Sequence, residues 1–495
     1  MTSKLEILKQ TSFGERVAED DDKLASYFVE TEIWKKLVSG EVDIIKGVKG
    51  SGKSALYMHL LGQIDSFTGR NIILIPAENI KGATVFRSVL GNAELTETSF
   101  QYLWSIYIIT LIGDQIKIFS DQHEQVNELV KKLEAEGLLE GRGIRRLLSN
   151  VRDYVASFFK KVGSVEGGAT IDPATGIPML TGKISLNEPT AELRKQGVVS
   201  VDELYEMANE VLQIIGIKVW ITFDRLDVAF SENIELETLA LRTLFQVYNN
   251  LKQHQNIRLK IFIRDDIWRR ISEGGFREAS HIVKQVTIDW SEQDFMHLLA
   301  SRIMDNAAVV DYVDMSKEKV LADKEEQTRV FYKLFPDKVE VGRNPDTFKW
   351  MLSRVKDGLG ISAPRELIHL MNESKNKQIK SLETGTREDS YPNLISRTAL
   401  KEALKVVSRV RIDQTIYAEH SHLKPYIERL EEQKTEQDID TLSKIFETDK
   451  KDTVQIANEL VAIGFFEEKK DSEKPYWTPF LYRGGLSMVQ GKEEA

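Results

Sequence analysis

The stretch Val42–Leu56 reads Val-Asp-Ile-Ile-Lys-Gly-Val-Lys-Gly-Ser-Gly-Lys-Ser-Ala-Leu, and Gly47 to Ser54 satisfies G-x-x-x-x-G-K-[ST] at every fixed position. Residues of these types at this spacing suit phosphate. Glycines at 47, 50 and 52 permit backbone turns that point amide N–H groups inward around an anion. The helix expected over Ser54–Ile64 would add the partial positive charge of its N-terminus. Lys53 can neutralise β- and γ-phosphate oxygens, and Ser54 offers a hydroxyl to Mg²⁺. Val48, Lys49, Ser51 and Ala55 complete the segment expected to wrap the phosphates.

Such a site needs a second acid for the metal or its water. Lys218-Val-Trp-Ile-Thr-Phe-Asp224 supplies one, an apolar strand ending in a carboxylate at the edge where open α/β sheets take ligands. The next residue is Arg225, where an acid would be expected to polarise attacking water. Asp227 stands in the following turn and could take that role; the alternatives are slow hydrolysis, or a structural ion pair between Arg225 and Asp227. Arg264 closes the run Arg258–Ile263 where a γ-phosphate sensor would lie, or pairs with Asp265 or Asp266. Arg365 follows Pro364 at an expected helix start, where it could read nucleotide state or serve as surface charge.

These groups need a scaffold. Five short runs rich in Ile and Val are expected strands: Val42–Ile45, Asn71–Pro76, Lys218–Phe223, Arg258–Ile263 and Gln285–Trp290. They alternate with long helical patterns, which predicts an α/β core around a covered parallel sheet. The expected organisation is an N-terminal segment (1–40), a core (41–300) with an insertion at about 100–200, a helical lid (301–400) and a C-terminal module (401–495). Within the insertion, Gly163–Thr190 is rich in Gly, Pro, Thr and Ser and reads as a loop or small hairpin. In the last segment, helices at Thr441–Phe446 and Thr453–Ile463 precede a turn at Gly464, a hairpin tip at Lys469–Lys474 and a return strand at Tyr476–Tyr482. Two helices followed by a two-stranded wing describe a winged helix.

The 495 residues are 41% hydrophobic and 29% charged, an ordinary globular balance. The formal charge of −10 argues against a general nucleic-acid coat. Residues 401–495 hold 15 Lys and Arg against 19 Asp and Glu, a net of −4. Nucleic acid is therefore not indicated by charge, although Lys401, Lys405 and Arg409 share a helix face with Arg411 nearby, and Arg142, Arg145 and Arg146 form a second cluster. The absence of cysteine excludes disulfides and thiolate metal sites, and the eight histidines form no H-E-x-x-H or H-x-x-E-H pattern. No run approaches the ~20 apolar residues of a membrane span. The start carries no apolar signal segment, so the expectation is a soluble cytoplasmic chain without membrane contact.

Taken together, Phe13–Asp21, Tyr27–Thr31, Gly47–Leu56, Phe223–Asp227 and Phe262–Ile267 resemble a group of bacterial defence-associated P-loop ATPases, within the AAA+/STAND, origin-recognition-like branch of P-loop NTPases. The resemblance covers most of residues 10–305 and, more loosely, Gly360–Asn372 and Thr441–Met488. It implies a P-loop core, helical lid and C-terminal winged helix. It also implies ATP at Gly47–Ser54, Mg²⁺ at Ser54 and Asp224, sensor roles for Arg264 and Arg365, and nucleotide-dependent homo-oligomers. The expected function is an ATP-binding and ATP-hydrolysing switch that controls self-assembly or a protein effector, in the manner of antiphage defence. The alternatives are a DNA-binding initiator or loader, and a nucleotide-locked scaffold with little hydrolysis.

Overall fold

A computed structural model describes residues 3–77, 96–141, 143–163, 170–171, 178–179, 183–186, 188–226, 234–273, 275–385 and 393–490. It divides the chain into two compact units, one formed by Glu32–Val48 and Leu56–Ile288, the other by Met1–Thr31, Lys49–Ala55 and Asp289–Ala495.

The first unit is built on a five-stranded sheet of β1 (Ile44–Gly47), β2 (Ile72–Pro76), β3 (Lys218–Phe223), β4 (Ile257–Arg264) and β5 (Gln285–Thr287), in the order β2-β3-β4-β1-β5. Every pairing is parallel. All five expected runs thus fall on strands of one sheet and the α/β class holds, though the first strand is Ile44–Gly47 rather than Val42–Ile45 and the last ends at Thr287 rather than Trp290. Burial on both faces explains why β1 to β4 are mostly apolar instead of alternating, whereas β5, at the sheet's edge, is only partly buried. Helix α1 (Lys53–Gly62) follows the loop after β1 and buries Leu56, Tyr57 and Leu60. Helix α2 (Glu97–Ile116) opens on a capping box at Thr96 and Ser99 and is buried on nearly every side. Its apolar stretch therefore serves the core, and among the described residues no helix is long and apolar enough to cross a membrane. Helix α3 (Ile234–Leu251) packs into the same core, and Trp104 of α2 donates to the Ala240 carbonyl at 2.8 Å. In the glycine- and proline-rich stretch, expected to be a loop or a small hairpin, Thr170–Ile171 pairs antiparallel with Pro178–Met179.

One charged pair lies inside this core. Lys260 of β4 is fully buried, with Nζ 2.8 Å from Asp43 Oδ1 and 2.6 Å from the Val42 carbonyl. The Tyr248 hydroxyl bonds the other Asp43 oxygen at 3.2 Å, and the Trp220 ring lies 4.1 Å from the ammonium. Burial pulls the Lys260 ammonium below its ordinary range, and Asp43 opposes that pull.

The second unit has its own core, to which residues from Ile7 to Leu486 contribute. Helix α4 (Glu292–Met304) begins on a capping box at Ser291 and Asp294. Helix α5 (Pro364–Glu383) has Pro364 in its first turn, as the sequence predicts, and α6 (Arg397–Arg411) is capped by Ser396. Arg302 of α4 is buried and holds the N-terminal segment, donating to the Phe13 carbonyl at 2.5 Å and to Asp21 at 3.3 Å beneath the Tyr27 ring. Toward the C-terminus come β6 (Glu436–Gln437), α7 (Ile439–Phe446), α8 (Lys450–Ala462), β7 (Glu467–Glu468) and β8 (Tyr476–Trp477). The strands form an antiparallel sheet in the order β6-β8-β7. The helix–helix–hairpin order follows the expectation with two differences. The return strand stops at Trp477, because Pro479 cannot donate to a ladder and the chain turns into a short helix at Phe480–Arg483. Strand β6, too short to signal itself in the sequence, adds a third member.

Removing Lys260 strands a buried carboxylate. Lys260→Ala is expected to cost about 3–5 kcal/mol in urea unfolding, and Asp43→Leu combined with Lys260→Met to cost much less. Equal losses in the two variants would contradict this account.

Candidate functional site

The loop from Gly47 to Ser54 leaves the C-terminal end of β1, a central strand of the sheet. Gly47 itself is a strand residue, beside Arg264 of β4. It contributes no left-handed turn, unlike Gly50 at φ +83° and Gly52 at φ +102°. Those two angles are the ones an L side chain resists, and they let the loop reverse into α1 with Lys53 and Ser54 in its first turn.

Within the second unit, three consecutive loop residues are held from outside. Lys49 Nζ sits 2.5 Å from Glu419 Oε1. The Gly50 carbonyl accepts from the main-chain N–H of Arg365 at 3.4 Å. The Ser51 carbonyl accepts from the Trp290 indole at 2.8 Å, and that ring stacks on Phe295 with centroids 5.4 Å apart. The fit is close: a Cβ on Gly50 would lie 3.0 Å from Arg365 Cβ and 3.5 Å from Glu366 Oε2. The Ser51 hydroxyl is buried without a hydrogen-bond partner among the described residues, and so is Arg365 Nε.

Arg365 thus meets the loop through its backbone and Cβ. The neighbouring Glu366 is 5% exposed and pairs with Arg411 at 2.8 Å. Arg411, noted in the sequence only as lying near the basic stripe, is not part of it. Its position two residues beyond Arg409 turns it inward, where a carboxylate compensates it. Burial pulls the Arg411 guanidinium down, but Glu366, Tyr482 and Asp357 outweigh that and hold it protonated. Burial in turn pushes the Tyr482 hydroxyl up to about 12. Lys401, Lys405 and Arg409 are exposed; Lys405 pairs with Glu402 at 2.8 Å, and Arg409 with Asp413 at 3.3 Å and the Gly485 carbonyl at 3.0 Å. Arg145 and Arg146 lie at the start of the helix Ile144–Gly163, and Arg142 is outside the described residues.

In the first unit, Asp224 follows directly on β3. Because β4 lies between β3 and β1, the ends of those two strands stand two spacings apart, about 10 Å. Arg264, at the end of the intervening strand, pairs bidentately with Asp266 at 2.8 and 3.0 Å, one of the two ion pairs expected for it. Arg225 takes a left-handed φ of +55°, which costs a non-glycine residue about 1–2 kcal/mol. Strain of this kind gathers at functional turns. Asp227, the candidate base, is outside the described residues. Among the described residues no cluster of three or more His, Cys, Asp or Glu could hold a metal by itself. A magnesium site here would need a hydroxyl and phosphate oxygens as partners. Ser54, with Lys53 and the two turned glycines, fits the phosphate end of a magnesium nucleotide in type.

Sequence reasoning missed Glu419, Trp290 and Glu366. Their links to the loop or to Arg411 span 370, 239 and 45 residues, beyond any local periodicity.

No family model matches the chain. Over 121 residues it is 28% identical to a putative ABC transporter ATP-binding protein of Clostridium tetani (strain Massachusetts / E88), a stretch covering 24% of this chain and 27% of that protein. The chain thus spans about a quarter of that relative's length. Among solved structures, the Aeropyrum pernix ORC2 protein in ADPNP–ADP complexes is 11% identical with a TM-score of 0.30, covering 90% of this chain and 86% of that one. Cdc6p of Pyrobaculum aerophilum is 10% identical with a TM-score of 0.31, covering 94% and 96%. Likeness this distant transfers no residue roles. What stands on the chain's own geometry is an α/β parallel-sheet fold in which an interior strand, β1, runs into the G-x-x-x-x-G-K-S sequence.

Gly50→Ala is expected to lower stability by about 1–2 kcal/mol through its left-handed φ, and more if Arg365 cannot yield. Gly62→Ala, with nothing near its Cβ, should be neutral or stabilising. Urea midpoints of the two variants check this, and a silent Gly50→Ala would show the loop to be loosely held.

Proposed function

We propose that this chain is an ATP-binding and ATP-hydrolysing switch. The observation that carries the reading is the loop itself, with two glycines in left-handed turns immediately ahead of Lys53 and Ser54 at the end of a central parallel strand. Loop amides and the start of α1 would receive the phosphates, with Lys53 as the counter-charge. Ser54 and Asp224 would hold Mg²⁺, which when bound neutralises charge on the phosphate oxygens. Arg365, whose backbone already meets the loop, would report on the nucleotide, and Arg264 would do so from the end of β4 once released from Asp266. The strained Arg225 turn supports a placed role for Asp224, and Asp227 remains the proposed base.

The partner of such a switch would be another copy of the chain or a protein effector, and antiphage defence is the biological setting we infer from the sequence resemblance. The alternative of a DNA loader draws less support. Two of the three exposed cations on the α6 stripe already face carboxylates, and the C-terminal segment is net acidic. A nucleotide-locked scaffold would be the outcome if Arg225 leaves attacking water without a base.

Lys53→Ala is expected to weaken Mg·ATP binding at least tenfold, about 1.4 kcal/mol by calorimetry. Retention of wild-type affinity would end the reading. Asp224→Asn should keep nucleotide but lose turnover on the order of 100-fold. Mass measured with and without ATP then tests assembly, and an unchanged mass would remove self-association from the proposal.

A further inference from the structure

We propose that Glu419 is a positioning residue of the phosphate loop, an anionic latch that restrains Lys49 and so sets how strongly the loop receives phosphate. The inference rests on the nucleotide reading above and adds the regulation of that same site. Lys49 is one of two lysines inside Gly47–Ser54, and its charge is engaged 2.5 Å away by a carboxylate 370 residues further along the chain. The two side chains are about 30% and 21% exposed, so water screens the pair only in part.

Glu419 sits on an unusual piece of backbone. After Arg411 the helix continues through a π-helical turn at Ile412–Ile416, and Tyr417–Glu419 follows directly. Single π turns within helices recur where a helix must present a side chain out of register. The segment carries ion pairs of opposite polarity at its two ends. Arg411 gives a cation to Glu366, whose other oxygen faces Gly50, and Glu419 gives an anion to Lys49. The start of α5 and the middle of the loop are therefore both clamped by residues 411–419, on either side of the π turn. A shift of that segment would release a lysine toward bound phosphate and withdraw a carboxylate from beside it. Both changes favour an anionic ligand.

Glu419→Gln keeps the size of the side chain and removes its charge. It is expected to tighten ADP and ATP binding roughly three- to tenfold, and to leave adenosine unchanged. In a Lys49→Met background the same substitution should add nothing. No gain for ADP and ATP, an equal gain for adenosine, or an undiminished gain beside Lys49→Met would each overturn the latch. Hydrogen exchange of the nucleotide-free protein supplies an independent arm. Amides of residues 49–53 should exchange faster in both Glu419→Gln and Lys49→Met, and unchanged protection would also overturn the latch. If wild-type protein binds no nucleotide while the exchange prediction holds, the nucleotide reading fails and the latch stands as a restraint on the loop.

Discussion

An anion cradle made of backbone amides must be sharply turned and yet held still. Gly50 and Gly52 supply the turn, because only glycine takes those φ values at little cost. Glycine also brings the most conformational freedom to lose, so the turn would not hold itself. Lys49, Gly50 and Ser51 are accordingly fixed by a carboxylate, a main-chain N–H and an indole N–H. The remainder of the second unit can be understood as the support for those contacts: a capped helix that follows Trp290, a proline-started helix that places Arg365, and a π turn that places Glu419.

Charge compensation runs through the molecule in the same manner. Lys260 with Asp43, Arg302 with Asp21, and Arg411 with Glu366 are all largely buried, and each joins segments far apart in sequence. Pairs of this kind contribute little net stability compared with apolar side chains of the same shape. They do penalise any arrangement in which one partner is missing. In a chain whose strands are rich in Ile, Val, Leu and Phe, that penalty distinguishes the correct assembly from similar apolar ones.

Much of the fold was legible because parallel strands and helices carry local signals. The five strand runs, the proline start of Arg365's helix and the Gly464 turn all follow from residue type and spacing. The loop's two sharp turns were legible for the same reason, since the motif that calls for them lies in eight consecutive residues. Long-range pairs were not. Nothing in the sequence around Glu419 points to Lys49, and nothing around Arg411, read only as a cation near the stripe, points to Glu366. Gly47 also misled, because a motif glycine need not be a turn glycine; here it continues the ladder beside Arg264.

The Lys260–Asp43 pair has a further consequence. A strand apolar on both faces can slide along its neighbour without exposing anything to water, so hydrophobicity alone fixes its alignment weakly. Here the Ile261 amide bonds the Asp43 carbonyl, and the adjacent ammonium finds its carboxylate only in that alignment. Sliding by one residue, about 3.3 Å, would leave two naked charges in oil. The pair therefore acts as a ruler: it sets the height at which β1 stands beside β4, and so which residue of β4 lies next to Gly47 at the strand's end.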